Sequence, residues 1–334
     1  MKKSVGIIFI ILSVLLAGAT AVFAYLYFAS AKQDKNKDNG TVTLSETELS
    51  ELKASAKDEA REDMLSAIKT ELSGGRSVIG LLKEAYPDKL IYVNSSGNYT
   101  FADIDNSLKK SNLDMSAFVT DDNGVISYNK GGVSSHMGID VSSYQGDIDF
   151  SKVKSAGVEY VFVRSGYRTY GGGIIKADTA FETNVTEALK NNIKVGVYFF
   201  SMAVDTDEAI EEADFVIDKI KPYNITYPVV IDVEEIAGDS YRTEDLSQKE
   251  MTDIVIAFCE RIKSAGYTPM IYFGLKYMEE RLDMSRLEDY DKWFAYYSDN
   301  PYIPYSLSAW QYASDGKIDG IDTSVDMNIS FKTW

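Results

Sequence analysis

From Met137 onward, short apolar strands alternate with helical stretches, and this alternation admits few folds. Gly138-Ile139-Asp140-Val141, Tyr160-Val161-Phe162-Val163-Arg164, the run Lys194 to Phe200, the run Pro228 to Glu235 and Met270-Ile271-Tyr272-Phe273 read as strands. Helical spacing fills the intervals from Phe150 to Ala156, Thr179 to Leu189, Glu208 to Ile220 and Ser247 to Ala265. Strands separated by helices run parallel, each helix crossing over the sheet. The last third differs: Trp293-Phe294-Ala295-Tyr296-Tyr297, Leu307-Ser308-Ala309-Trp310-Gln311-Tyr312 and a strand near Val325 are joined by short loops. Such loops leave no room for crossover helices, so these strands are expected to be antiparallel in part. The expected fold is α/β: an irregular β/α barrel of about five β/α units and then three partly antiparallel strands. In a barrel of parallel strands, chemistry collects at the strands' C-terminal ends.

Upstream, three further regions are expected. Residues 1–31 form a transmembrane anchor: Lys2 and Lys3 precede an uncharged apolar stretch, residues 5–29, long enough to cross a bilayer. Ala29-Ser30-Ala31 also resembles a signal-peptide cleavage site, so an anchor and a processed leader both stand. With a single span, the body is expected to be extracellular at the cell membrane. Residues 32–76 are a linker and a stalk helix. Ser45 and Glu48 make a capping box, Leu49, Leu52, Ala56, Ala60, Met64, Ile68 and Leu72 follow at helical spacing, and Gly74-Gly75 ends the run. Its weak stripe suits self-association or docking on its own chain. Residues 77–130 are a small α+β module, and 131–334 the barrel, with Gly131-Gly132-Val133-Ser134-Ser135 as the joint.

Composition narrows the chemistry. A net charge of −17 over 334 residues opposes a nucleic-acid partner. One histidine, His136, cannot build a multi-histidine zinc site, and its place before the first strand reads as linker. One cysteine, Cys259, excludes an intrachain disulfide and sits in a helical apolar run, as a buried small hydrophobe would. Asp103, Asp105, Asp121 and Asp122 lack the spacing of a calcium loop. No metal and no cofactor is expected, and catalysis would fall to carboxylates.

The strand Pro228-Val229-Val230-Ile231-Asp232-Val233-Glu234-Glu235 ends in such groups. Alternation puts Asp232 and Glu234 on one face, roughly 7 Å apart along the backbone. Two carboxyls on one face push their pKa values apart, so one stays protonated while the other stays ionised, which is the equipment of a glycosidase. A strand end with solvated acids is the plain alternative. Asp140, Tyr198 and Tyr272 lie near other strand ends, which favours the functional reading. Glu235 faces away on an ideal strand.

Gly138-Ile139-Asp140-Val141-Ser142-Ser143-Tyr144-Gln145-Gly146, with Val230-Ile231-Asp232-Val233-Glu234 and Ala309-Trp310-Gln311-Tyr312, resembles the family 25 glycoside hydrolases, lysozymes of the N-acetylmuramidase type. The resemblance runs from about Met137 to Trp334. It implies an irregular β/α barrel and hydrolysis of the β-1,4 bond between N-acetylmuramic acid and N-acetylglucosamine in peptidoglycan. It assigns Glu234 as general acid and Asp232 as its partner, ionised, assisting the acetamido group or opposing transition-state charge. It makes Asp140 and Asp326 further acids of the site, and Tyr198, Tyr272 and Trp310 aromatic positions of the groove. Tyr296 joins them as a substrate-binding candidate. Tyr198, Tyr272, Tyr296 and Tyr297 fit core and groove equally, and Asp140 fits a turn cap as well as a substrate contact. Many members carry Tyr-His-Phe where this chain has Tyr198-Phe199-Phe200, which bears on substrate preference more than on chemistry. The competing function is a catalytically inactive wall-binding or scaffolding protein on the same barrel.

Overall fold

The structure, a computed structural model, describes residues 44–75, 77–236 and 240–334, in two compact units, one ending at Ile91 and one from Tyr92 to Trp334. The expected membrane span at residues 5–29 lies outside the described residues, among which no helix is long and apolar enough to cross a membrane.

In the first unit, α1 (Glu46–Ser73) starts at the expected capping box: Ser45 Oγ accepts the Glu48 amide at 3.2 Å and the Glu48 carboxylate accepts the Ser45 amide at 2.9 Å. Gly74 caps it, and Gly75 follows at φ 90°. No residue of α1 is buried, and Leu49, Met64, Ile68 and Leu72 of its stripe are exposed. α2 (Val78–Ala85) follows, and β1 (Lys89–Val93) begins in this unit.

The second unit opens with β2 (Tyr99–Asp103) and an antiparallel sheet of β3 (Phe118–Thr120), β4 (Ile126–Lys130) and β5 (Val133–Ser134). The expected joint at Gly131–Ser135 is instead the β4–β5 hairpin. Gly131 and Gly132 both take positive φ, 64° and 82°, and Lys130 pairs with Val133, the geometry a two-residue hairpin turn requires. The small sheet packs on the barrel's outside: Phe118 meets Trp310 and Phe331 edge-on, with centroids 5.5 and 6.0 Å apart. The compact unit therefore begins at Tyr92 rather than at residue 131.

The barrel is built by β6 (His136–Val141), α3 (Phe150–Ser155), β7 (Tyr160–Arg168), β8 (Ile175–Ala177), α4 (Phe181–Lys190), β9 (Lys194–Phe200), α5 (Thr206–Ile220), β10 (Val229–Asp232), α6 (Gln248–Ser264), β11 (Pro269–Gly274), α7 (Leu275–Arg281), β12 (Asp291–Ala295), β13 (Ala309–Gly316) and β14 (Val325–Ser330). Strand order is β6-β7-β9-β10-β11-β12-β13-β14, closing back on β6, with β8 a hairpin strand on β7. Five β/α units precede the last three strands, as expected. These three are partly antiparallel, also as expected: β14 runs against β13 and β6, while β12 and β13 pair in parallel. Residues 296–308 connect them without a helix, because about a dozen residues of any conformation suffice for a crossover. His136 is no linker residue either. It opens β6, and its Nδ1 lies 2.8 Å from the Glu159 carboxylate.

Large aromatic side chains fill the lower barrel. Tyr160, Phe162, Tyr227, Val230, Met270, Trp293 and Ala309 form one buried cluster. Glycine on the facing strands makes room for it. A Cβ on Gly138 would stand 2.1 Å from the Tyr160 ring, and one on Gly196 2.5 Å from Phe162. Cys259 is wholly buried on α6, where burial pushes its thiol pKa up.

Candidate active site

Inward-facing positions alternate along each strand, so the residue two steps beyond a core residue lies one layer higher in the same interior. Above Val230 comes Asp232, above Gly138 comes Asp140, above Met270 comes Tyr272, and above Ala309 comes Gln311. β14 runs the other way and delivers Asn328 and then Asp326, which pairs in register with Asp140. The core gives way to acids in a single layer.

Asp140 is buried and accepts two amide donors, Gln311 Nε2 at 2.9 Å and Asn328 Nδ2 at 2.8 Å. Both amides are oriented by further bonds. Gln311 Oε1 accepts the hydroxyls of Tyr272 at 2.8 Å and Tyr297 at 3.1 Å, and Asn328 Oδ1 accepts Trp293 Nε1 at 2.8 Å. Burial raises the Asp140 pKa and the two donors restrain the rise. Asp326 is raised to about 8, by burial first and then by the charge and hydrogen bond of Asp140. Both carboxyls of the pair are thus pushed toward their neutral forms.

β10 ends at Asp232, so Glu234 lies beyond the strand, yet the two carboxyls are close enough for the charge of Glu234 to act on Asp232. Burial, then the Asp140 charge, raises Glu234 to about 7. Asp232 is pushed well above the usual carboxylate range, by burial first and Glu234 second. Burial and the Glu234 charge both oppose the ionised form expected of Asp232. Its Oδ1 is buried with no hydrogen-bond partner, so that oxygen has no hydrogen bond to offset its desolvation. Arg164 opposes the shift, but its guanidinium is already claimed by Asp178, through Nε at 2.8 Å and Nη2 at 2.7 Å.

Tyr272 is buried against Trp293, with its hydroxyl in the acid layer, and Tyr198 is half-buried beside Asp140, Asp232 and Asp326. Burial pushes both phenols well above their ordinary range, so they stay neutral donors. Tyr296 stacks on Phe294 at 5.9 Å and lines, with Tyr272 and Tyr297, a cavity of about 330 Å³ that opens beside Glu234. Trp310 departs from its expected place in the groove. It lies outside the barrel wall, fully buried under Phe118, with Nε1 donating to the Tyr296 carbonyl at 2.7 Å. Parity explains this, since Ala309 and Gln311 point inward and Trp310 and Tyr312 point out.

Sequence reasoning missed Gln311, Asn328 and Arg164. Gln311 stood inside a quoted motif, and its parity with the small Ala309 was the available signal. Asn328 shares its parity with Asp326. Glu235, set aside as facing away, lines the same cavity as Glu234 and forms an ion pair with Lys276.

A layer of four carboxyls over an aromatic floor, open to a tyrosine-lined cleft, can hold a proton near neutral pH and oppose positive charge on a sugar ring. The family model described as glycosyl hydrolases family 25 matches residues 139–321, more than half of the sequence. The chain belongs to this family. An autolytic lysozyme of Clostridium acetobutylicum is 27% identical over 192 residues, which cover 57% of this chain and 54% of that protein. Lysozyme M1 of Streptomyces globisporus is 26% identical over 202 residues, 58% of this chain and 66% of that one. Among solved structures, a bacterial lysozyme from Streptomyces coelicolor superposes at a TM-score of 0.51 with 25% identity, covering 59% of this chain and 93% of that one. The modular autolysin LytC from Streptococcus pneumoniae, solved with a synthetic peptidoglycan ligand, does so at 0.53 with 25% identity, covering 72% and 56%. The chain spans about half the length of the two autolysins it matches.

Proposed function

We propose that this family 25 glycoside hydrolase cleaves the β-1,4 bond between N-acetylmuramic acid and N-acetylglucosamine in peptidoglycan, and does so tethered to the outer face of a cell membrane. The observation that carries the chemistry is the Glu234 carboxyl, held at about 7 at the edge of an acid cluster and a sugar-sized cleft. Glu234 gives its proton to the glycosidic oxygen as the bond to the anomeric carbon breaks. The acetamido oxygen of the same sugar attacks that carbon from the opposite face. The acetamido N–H donates to the Asp232 carboxylate. That donor supplies what burial denies Asp232 and favours its ionised form, which opposes the charge on the ring. Water then opens the cyclic intermediate, with Glu234 taking its proton back, and the configuration is retained. Asp140, anchored by two amides, and Asp326 beside it form the floor of the site.

The full chain should release reducing ends from purified peptidoglycan, and Glu234→Gln should lower kcat by about 10²–10⁴-fold. A fully active Glu234→Gln variant would remove Glu234 from its role. Binding to the sacculus with no product from the unaltered chain would instead favour a wall-binding protein on this barrel. The tether rests on the apolar residues 5–29. Membrane fractionation should retain the full chain, with protease reaching the barrel from outside. Recovery of a shortened soluble form would replace the anchor with a cleaved leader.

A further inference from the structure

Glu235 directly follows the acid Glu234, yet it lies in a different electrostatic setting. α7 begins immediately after β11, so Lys276 stands in its first turn, over the cleft. There its ammonium pairs with Glu235, the two side chains 24% and 28% exposed. The pair lines the same 330 Å³ cavity as Glu234, together with Tyr272, Tyr296 and Tyr297. Asp140, Asp232 and Asp326 are not among the residues that line this cavity.

We propose that the Glu235–Lys276 pair is a positioning device for the proton donor: Lys276 cancels the charge of Glu235, so that Glu234 faces anionic groups on the acid-cluster side alone. The proposal rests on Glu234 being the general acid. The groups that face Glu234 are Asp232 of β10, Asp140 of β6, Asp326 of β14, Tyr272 of β11 and Tyr297 beyond β12. Arg164 of β7 and Tyr198 of β9 lie behind Asp232. Glu235 in turn faces Tyr241 and Tyr277 besides Lys276. Lys276 is the cation on the cavity side of the site, and Arg164 on the other side is already paired with Asp178. A bare carboxylate one residue from Glu234 would oppose its ionisation, and a bare ammonium would promote it.

The two halves of the pair therefore predict opposite signs. The alkaline limb of kcat/KM reports the proton donor in the free enzyme. With the full chain on peptidoglycan, Lys276→Met should move that limb up by about half to one pH unit, and Glu235→Gln should move it down by a similar amount. The double variant should return it close to the starting position, and Lys276→Arg, which keeps the charge, should leave it in place. Limbs that do not move, or that move in the same direction in both single variants, overturn the proposal, because lost packing would lower activity without opposite shifts. Glu234→Gln separates this from the parent reading. If that variant is active, the acid assignment fails; if it is inactive and the limbs stay put, only the role of the pair fails.

Discussion

The lower and upper halves of the barrel interior are made by the same strands and obey opposite rules. Below, Tyr160, Phe162, Val230, Met270 and Trp293 are packed with no charge among them. Two residues further along those strands or their neighbours, Asp140, Asp232 and Asp326 crowd into one layer with Glu234 just above. The lower half gains stability from every contact. The upper half gives stability up, because burying carboxyls with few donors favours their neutral forms and penalises the charged ones. The contrast teaches that the raised pKa of the proton donor follows from the fold: a barrel sealed by aromatics below leaves its upper acids without water on one side.

Substitutions in the two halves should therefore fail in different ways. The largest effect is expected from Asp232→Asn, which should cost about 10²-fold or more in kcat while leaving the fold intact. Its stability should change with pH in a defined sense. A carboxyl whose folded pKa lies above its unfolded value stabilises the fold at low pH, and that contribution is lost as pH rises through the folded value. Thermal melts should thus show Asp232→Asn matching the parent near pH 4 and melting higher at pH 8, by about 2–4 °C for each kcal/mol relieved. A lower melting point at pH 8 would mean that Asp232 is a net stabiliser and the contrast is false. Phe162→Ala, in the lower half, should do the reverse. It should cost about 3–5 kcal/mol of stability, read by denaturant unfolding, while kcat of the folded fraction changes little. The smallest effect on turnover belongs to Trp310→Leu. It should destabilise by ~2 kcal/mol through the gap left under Phe118, with KM for peptidoglycan unmoved. A raised KM there would return Trp310 to the groove.

Much of this arrangement was legible in the sequence, and the failures have physical causes. The β/α alternation depends on local periodicity, which is encoded locally, whereas the alternation argument for Asp232 and Glu234 stops at Asp232, where β10 ends. The Ser45–Glu48 capping box is equally local and forms as expected. Gln311 and Asn328 hold Asp140 across separations of 171 and 188 residues, and no local pattern shows which strand will close the barrel beside β6. Trp310 was misplaced because a large aromatic in a sugar-hydrolase motif invites a stacking role, whereas strand parity sends it outward. The push on Asp232 toward its neutral form exceeds what a two-group argument gives, because four acids gather here and its Oδ1 has no donor. The parallel course of β13 went unseen because a dozen residues without helical spacing resemble a turn, not a crossover.

The central claim is that the fold itself holds the Glu234 carboxyl protonated close to neutral pH. Carbon-13 NMR of the full chain labelled at glutamate side chains, with Glu234→Gln to assign the resonance, measures this directly. The expected result is a carboxyl titrating at about 7 and vanishing in the variant. A Glu234 resonance titrating near the ordinary glutamate value of 4.5 would contradict the account.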